Sequence, residues 1–418
     1  MFLGRRSVVL CITALLSTWA LSACGSRDDS SSDKKATAGA TSPGITDKEI
    51  KIGGSFPFSG PVAAYGATGR SMGVAFKEVN DAGGINGRKV NFIQLDDQYD
   101  PTKTVQMTRQ LVEKDKVFAI HGTVGTPNNL AIVDYLNQVK VPQALVGTGA
   151  TKLGATPDKL PWSMGYAPPW EVEGGVYASF LKDKMPNAKV AVLYQNDDLG
   201  KNPLAGFKRV IAGSGVKIVA EQSYDATDTT VTSQIGKLSR SGADVYISMS
   251  TPPATLQALK AIDKTGWKPT RILNTPAANT EAVLKPYGLG KAKGIISVSY
   301  FKDPGDAKWA DDPDVQAYAA AIKKYDAKDN PSDFFTEQGY AWGKVMIEVL
   351  KNMKEPTRAS LMESLRSMDI QSPLMVPGVK IQTSADRGFP VQSEQIQEFD
   401  GTKWVLQGEP IDGSAGLG

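Results

Sequence analysis

Cysteine is almost missing from this chain of 418 residues, which contains only Cys11 and Cys24. The sequence beyond residue 24 therefore has no disulfide, and it offers no thiolate as a nucleophile or as a soft metal ligand. A folded region without such bridges depends on the size of its core. With 41% hydrophobic residues, the chain has enough apolar material for one large or two medium cores.

Histidine is equally rare, since His121 is the only one in the chain. A catalytic base needs a positioned partner, and a lone histidine near a strand end is more often structural or part of a site wall. Adjacent acidic residues at 96–97, 197–198 and 311–312 are typical of turns and helix caps rather than of opposed glycosidase carboxylates. We therefore expect no catalysis, no cofactor and no metal site.

A charge excess of either sign is lacking as well. Lysine and arginine together number 47 and the acidic residues 44, which gives a net charge of +3. No long basic run is present, so the electrostatic footprint of a nucleic-acid-binding protein is missing.

The N-terminus differs from the rest of the chain. Arg5 and Arg6 precede an apolar stretch at about 8–16, which is too short to span a bilayer with ease. Small residues follow at Ser22 and Ala23. This pattern predicts a secretory signal over residues 1–23. The alternative is a short N-terminal membrane anchor that stays attached.

The sequence Leu-Ser-Ala-Cys at 21–24 resembles the lipobox of bacterial lipoproteins. The resemblance implies that Cys24 carries a lipid and becomes the first residue of the mature chain, so that the membrane is a partner through this anchor. Residues 24–43 then contain no bulky apolar residue after the cysteine and are predicted to form a flexible tether.

From Ile45 onward, short apolar runs alternate with amphipathic segments. Strand and helix signals that alternate in this way predict parallel sheets covered by helices, which is the α/β class. The alternation restarts near Trp170, and we therefore expect two α/β lobes rather than one very large sheet.

Three loops that follow predicted strands are rich in glycine and small hydroxyl residues, at 122–126, 147–151 and 248–251. Ligands of open α/β sheets bind at the carboxyl ends of the strands, where helix N-termini favour anionic groups. These loops, with Ser250 and Thr251 in the last of them, predict a shared cleft that binds a carboxylate or similar anion. The alternative is ordinary helix capping by threonine and serine.

Segments 56–66 and 76–87 resemble the branched-chain amino-acid binding proteins of ABC importers, the leucine/isoleucine/valine-binding type. Shorter matches at 96–101, 194–200 and 241–245 extend the resemblance, which runs from about residue 48 to the C-terminus. It implies a type I periplasmic-binding-protein fold with two lobes, three crossovers and a hinge that closes on the ligand.

Lobe 1 is expected at 44–168 plus 299–368, and lobe 2 at 169–298 plus 369–418. The expected partners are a small molecule and ABC permease subunits, and the expected state is an extracytoplasmic, lipid-anchored monomer.

The resemblance also implies ligand-binding residues. In the first lobe they are Tyr65 and the loop residues Thr123, Thr126, Thr148, Gly149 and Ala150. Leu199 stands where the family usually has an aromatic residue, and Phe335 or Tyr340 on a returning helix is expected at the cleft. Core packing is the competing role for the aromatic residues.

One departure from the family leaves the ligand open. Amino-acid binders of this type place an acidic residue after the last inter-lobe strand, but residues 273–280 contain no carboxylate before Glu281. A buried ammonium group without a partner is unfavourable by several kcal/mol. A branched-chain amino acid or related small carboxylate is therefore one expectation, and an aromatic or aliphatic acid or amide is the alternative. A ligand-sensing module for a membrane receptor and a secreted hydrolase are the other function classes, the latter without a plausible nucleophile–base pair.

Overall fold

The structure is a computed structural model that describes residues 42–155, 158–326, 328–372, 374–384 and 388–418. The predicted signal, Cys24 and the tether up to residue 41 lie outside the described residues.

Strands supply the framework. The strands are β1 (Glu49–Phe56), β2 (Lys89–Asp96), β3 (Ala119–His121), β4 (Gln143–Val146), β5 (Ser163–Gly165), β6 (Lys189–Gln195), β7 (Lys217–Tyr224), β8 (Val245–Met249), β9 (Thr270–Leu273), β10 (Ile296–Ser299), β11 (Asp369–Ile370), β12 (Ile381–Gln382), β13 (Ser393–Phe399) and β14 (Trp404–Asp412).

Helices alternate with these strands. The α-helices are α1 (Gly66–Asp81), α2 (Pro101–Arg109), α3 (Thr126–Gln138), α4 (Lys152–Ala155), α5 (Trp170–Lys184), α6 (Asp198–Ile211), α7 (Thr232–Leu238), α8 (Pro252–Thr265), α9 (Lys285–Tyr287), α10 (Leu289–Ala292), α11 (Pro313–Tyr325), α12 (Phe334–Lys351) and α13 (Arg358–Leu365). Short 3-10 turns lie at Ala63–Tyr65, Thr275–Ala278, Ala307–Trp309 and Ser414–Gly416, and π-helical turns lie at Gln110–Lys114 and Thr280–Leu284.

The strands form two main sheets. The first has the order β2-β1-β3-β4-β5 with parallel neighbours throughout. The second has the order β14-β13-β10-β9-β8-β6-β7, in which β13 pairs antiparallel with both β10 and β14 and the other pairs are parallel. The predicted α/β class with two domains of mainly parallel sheet is therefore confirmed. We call the domain around the first sheet domain 1 and the other domain 2.

Helices α1 and α12 pack together over the first sheet, and glycine makes their close approach possible. A Cβ atom at Gly339 of α12 would lie 2.0 Å from the carbonyl oxygen of Thr68 in α1. Any side chain there would force the two helices apart. The longest helix after Tyr300, α12, is thus fixed beside α1 in domain 1.

Within the described ranges, the chain crosses between the domains at three places. Tyr166 and Ala167 pack in the core of domain 1 just before α5 enters domain 2. Tyr300 follows β10 of domain 2 and packs again in the core of domain 1. Val391 belongs to that same core just before β13 joins the second sheet.

The domain boundaries stay a prediction, and the packing of the tail bears on one of them. Leu374, Val379 and Ile381 pack in the core of domain 1, whereas the prediction begins the tail of the second lobe at residue 369. We propose that this part of domain 2 begins at about residue 392, after the third crossover.

Among the described residues, no helix has both the length and the apolar content required to span a bilayer.

Candidate ligand-binding cleft

A cavity lies between the two domains, beside the carboxyl ends of strands from both sheets. The cavity has a volume of about 40 Å³. Aromatic rings form much of its wall, namely those of Tyr65, Tyr99, Trp170, Phe334, Phe335 and Trp342. Polar side chains come from Thr126, Thr148 and Gln338. The remaining lining consists of Val124, Gly125, Gly147, Ala167, Leu199 and Pro276.

Two threonine hydroxyls meet in the wall of this cavity. Thr126 Oγ1 lies 2.7 Å from Thr148 Oγ1. Thr126 Oγ1 also accepts from the indole Nε1 of Trp170 at 3.2 Å, and Thr148 Oγ1 accepts from the amide of Ala150 at 3.1 Å. The pair has two hydroxyl hydrogens, and their mutual bond uses only one of them. The other hydrogen is available to an acceptor on a ligand.

The N-terminus of α3 borders the same space. This helix begins at Thr126, and no side chain in the described part of the chain caps it. Gly125 precedes it with φ of 113°, and a Cβ there would lie 2.4 Å from Asn128 Oδ1. Glycine therefore permits the turn that brings the helix N-terminus to the cavity. Such an end favours an anionic group.

One face of α12 supplies the opposite wall. Phe335, Gln338 and Trp342 are three, four and seven positions apart and so share a face of the helix. The Phe335 ring packs edge-on against Tyr65, with ring centroids 4.8 Å apart. The buried Nε1 of Trp342 has no hydrogen-bond partner among the described residues. A buried donor without a partner at a cavity wall is suited to a ligand acceptor.

Tyr99 is held at the cavity by an unusual backbone conformation. Its φ is 62°, in the left-handed region that non-glycine residues seldom adopt. Its amide donates to Asp97 Oδ1 at 3.0 Å, and its ring lies 5.8 Å from that of Tyr65. Burial raises the pKa of both tyrosine hydroxyls well above the ordinary value, so both remain neutral donors.

The predicted site residues divide into two groups. Tyr65, Thr126, Thr148, Leu199 and Phe335 line the cavity.

The other predicted residues lie outside that lining and have partners within the protein. Thr123 Oγ1 accepts from the amide of Ser55 at 3.3 Å. The carbonyl of Gly149 accepts from the amide of Trp170, and the Ala150 amide donates to Thr148. The amides of Ser250 and Thr251 donate to Asn274 Oδ1 and to the Tyr224 hydroxyl. In this conformation these five residues support the walls rather than form them.

Several residues of the wall were not predicted from the sequence, namely Tyr99, Phe334, Gln338, Trp342 and Pro276. For Tyr99 a signal was present, because it directly follows a predicted strand within a segment that matches the family. For Trp342 the signal was its position seven residues after Phe335 on one helix.

His121 belongs to the core and not to the cleft. It is the last residue of β3 and is fully buried, with its ring near those of Phe76 in α1 and Phe92 in β2. Its Nδ1 lies 3.1 Å from the carbonyl oxygen of Ala144. Burial lowers the pKa of His121 to about 4, so its ring is neutral at neutral pH.

A serine with the spacing of a hydrolase elbow is also present, at Ser71 within Gly-Arg-Ser-Met-Gly. It lies inside α1 and is fully buried, and its hydroxyl donates to the carbonyl of Ala67 at 2.8 Å. A nucleophile elbow instead needs an exposed serine on a strand-to-helix turn.

Direct hydrogen bonds join the two domains around the cleft. The amide of Thr151 donates to Asn202 Oδ1 at 3.3 Å. Asn279 Nδ2 donates to Asp333 Oδ2 at 2.6 Å, and Asn330 Nδ2 donates to Glu281 Oε1 at 3.2 Å. The two domains are therefore in contact, and the cavity between them is largely closed.

The chain is similar in sequence to known binding proteins. The family model described as "Periplasmic binding protein" matches residues 49–403. The chain is 24% identical over 340 residues to the Leu/Ile/Val-binding protein homolog 7 of Brucella suis, which covers 78% of this chain and 82% of that one.

Solved structures share the fold. A branched-chain amino acid ABC transporter protein from Thermus thermophilus with bound valine superposes with a TM-score of 0.79 at 16% identity, over 89% of this chain and 98% of that chain. A fatty acid ABC transporter substrate-binding protein from Thermomonospora curvata gives a TM-score of 0.76 at 22% identity, over 90% and 96%.

Proposed function

The chain belongs to the periplasmic binding protein family, of the branched-chain amino acid transporter type, and from that premise we propose a more specific role. The protein is a lipid-anchored solute-binding protein that captures a small carboxylate with an apolar body between its two domains. It delivers this ligand to the permease of an ABC importer. It acts outside the cytoplasm, as the family implies.

The observation that carries this proposal is the cavity wall itself. The Thr126–Thr148 hydroxyl pair and the N-terminus of α3 offer donors for a carboxylate. The aromatic rings of Tyr65 and Phe335 offer apolar surface for the rest of the ligand. Few polar groups in a mainly apolar cavity are typical of small-molecule sites.

Closure couples capture to delivery. Domain 1 supplies the hydroxyl pair and most of the aromatic wall, while Leu199 and Pro276 come from domain 2. A ligand contacts both sets only when the domains are closed, so it stabilises the closed state. That state then offers a permease a surface that differs from the open one.

An amino acid can bind in this cavity only if its ammonium group finds an acidic partner, so the residues near the cavity decide between amino acids and other carboxylates. No carboxylate is found among the described residues that line the cavity. Asp197 stands nearby, but its oxygens accept from the amide of Leu199 at 2.9 Å and from Gln195 Nε2 at 2.6 Å. This arrangement favours an aliphatic or aromatic acid that lacks an α-amino group. Branched-chain amino acids remain the other class to test.

A thermal-shift panel separates these classes. Leucine, isoleucine and valine are compared with aliphatic and aromatic carboxylates and with the corresponding amides. A ligand at one hundred times its Kd stabilises the folded protein by about 2.7 kcal/mol. We expect the largest shift with a carboxylate that lacks an α-amino group. A shift with branched-chain amino acids alone would contradict that preference, and no shift with any carboxylate would contradict the proposed function.

The lipid anchor has its own test. Wild-type protein should fractionate with membranes, and mass spectrometry should find acyl groups on Cys24. The variant Cys24→Ala should lack them and should not be cleaved before residue 24. Recovery of unmodified wild-type protein in the soluble fraction would contradict lipidation.

Deletion of the gene separates import from sensing. Import predicts loss of uptake of the panel's best ligand, whereas sensing predicts altered gene expression with uptake intact.

A further inference from the structure

A second cavity lies beside the first, separated from it by the ring of Phe334, which lines both. This second cavity has a volume of about 30 Å³. Domain 1 contributes Asp303 and Glu337, and domain 2 contributes Thr275 and Trp404. This cavity is therefore also formed between the domains and depends on their closure.

Glu337 is the unusual residue in this wall. It is only 4% exposed, and its Oε1 has no hydrogen-bond partner among the described residues. Buried polar atoms nearly always have a partner, so an unpartnered carboxyl oxygen in a cavity wall indicates a missing ligand. The positioning of Glu337 is firm, because it lies in the first turn of α12, whose N-cap is Asp333.

The surroundings of Glu337 are acidic. Burial, then Asp303, then Asp333 raise the pKa of Glu337 well above its usual value, and Lys302 opposes them. The ammonium group of Lys302 is already 2.7 Å from Asp312 Oδ2. Asp333 is also engaged, because it accepts from Asn279 and caps α12. Glu337 is thus the acid in this group with a buried oxygen that has no partner among the described residues.

A protonated primary amine has the properties that this space requires. An ammonium group is close to water in size and offers three donors, and a cavity of about 30 Å³ has room for it with an adjoining methylene group. Hydroxyls of Thr275 and Ser299 are among the possible acceptors in the wall, and the rings of Phe334 and Trp404 favour a cation nearby. An entering cation would also favour the ionised form of Glu337.

We propose that this second cavity is a binding site for a protonated primary amine, with Glu337 as its charged partner. The amine is either the far end of the captured carboxylate or a separate small molecule. The proposal rests on the proposed function, since it adds a subsite to the same interdomain cleft.

The test uses the purified full chain in detergent and isothermal titration with defined probes. The first probe is propylamine hydrochloride. The second set pairs 4-aminobutanoate, 5-aminopentanoate and 6-aminohexanoate with the carboxylates of the same length that lack the amine. Binding that is at least ten-fold tighter for one amino carboxylate assigns the amine to the captured ligand. Binding of propylamine without any such preference assigns a separate amine.

Variants connect the effect to the cavity. Glu337→Gln keeps the shape of the side chain and should weaken amine binding at least ten-fold, while the carboxylates that lack the amine bind as before. Asp303→Asn should weaken it in the same direction. The matched control is Glu348→Gln, a half-exposed position on the same helix that contacts Lys351, and it should change nothing.

The outcomes separate this proposal from the proposed function. Amine binding that depends on Glu337, without binding of any carboxylate, supports the second site and contradicts the proposed function. Carboxylate binding without a response to any amine overturns the second site and leaves the proposed function standing. Equal amine binding by Glu337→Gln and wild type, or a Glu337-dependent response to calcium chloride alone, also overturns it.

Discussion

The hydroxyl oxygens of Thr126 and Thr148 lie 2.7 Å apart in the wall of the interdomain cavity. One residue begins α3 and the other follows β4, so the contact joins two loops at the carboxyl edge of the first sheet. Trp170, at the start of α5, donates to this pair from the first crossover between the domains. The pair is therefore fixed from both sides, with one hydroxyl hydrogen left for a ligand.

Replacement of either threonine by valine removes a hydroxyl at nearly constant volume. If the pair holds a carboxylate, Thr126→Val and Thr148→Val should each weaken binding of the best carboxylate about ten-fold to one-hundred-fold, as expected for loss of a hydrogen bond to a charged group. Isothermal titration measures the change.

The matched control is Thr108→Val in α2. Thr108 is buried, and its hydroxyl has no hydrogen-bond partner among the described residues. This variant should bind the ligand as wild type does. Equal affinities for all four proteins would remove the hydroxyl pair from the site.

Closure of the domains can be opposed without touching the cavity. Asn279→Asp places a carboxylate 2.6 Å from Asp333 across the cleft, yet the new side chain can still accept from the amide of Ala282. Like charges at that distance disfavour the closed state. We expect ligand affinity to fall at least ten-fold at pH 8, with the affinity restored in part by high salt.

The control for that variant is Asn91→Asp. Asn91 is exposed and its Nδ2 lies 3.0 Å from Glu49 Oε1 within domain 1. The same kind of like-charge contact is created there without a domain interface, and affinity should not change. A similar loss of affinity in both variants would mean that net charge, not closure, is responsible.

Two buried carboxyl groups in domain 2 should make stability depend on pH. Burial raises the pKa of Glu394 well above its usual value, and nearby Glu173 raises it further. Burial also raises the pKa of Glu173, although Thr275 and Tyr177 donate to its oxygens. Above pH 4.5 the unfolded chain releases these protons while the folded protein keeps them, so this contribution to stability is lost as pH rises.

The glutamine of Glu394→Gln cannot release a proton. The melting temperature of this variant minus that of wild type should therefore increase by a few degrees from pH 5 to pH 8. Glu398→Gln, at an exposed position of the same strand, is the control and should show a constant difference. A difference between Glu394→Gln and wild type that does not vary with pH would refute the raised pKa.

His121 should act in the opposite direction at lower pH. Its folded pKa of about 4 lies below the usual value of about 6.5, so the unfolded chain takes up a proton first as pH falls. Stability from this residue is present above pH 6.5 and declines between pH 6.5 and pH 4, by up to about 3 kcal/mol. His121→Asn should be less stable at neutral pH but should lose less on acidification, as measured by urea titration. An unchanged slope would contradict this assignment.

The sequence allowed the general form of the cleft to be predicted. Strand and helix alternation with a restart near Trp170 indicated two α/β domains, and the glycine- and threonine-rich loops indicated where strands end. The positions of Thr126 and Thr148 at the edge of the sheet could be predicted because a helix start and a strand end are both local features of the sequence.

The rest depends on contacts that no local pattern reveals. Ser250 and Thr251 have the same loop chemistry, but the hydroxyl of Tyr224 and the side chain of Asn274 take their amides. Trp342 has the sequence pattern of a core residue in an amphipathic helix, and only its place in the cavity wall makes its Nε1, which has no partner among the described residues, notable. The tail between 369 and 391 has no pattern that distinguishes packing on domain 1 from packing on domain 2.

Capture of a carboxylate between the domains is tested most directly by a crystal structure of the protein with the best carboxylate from the thermal-shift panel. We predict a closed protein with the carboxylate within hydrogen-bond distance of Thr126 or Thr148 and with the apolar body against Tyr65 and Phe335. A ligand bound outside the interdomain cavity, or one whose carboxylate contacts neither threonine, would contradict it.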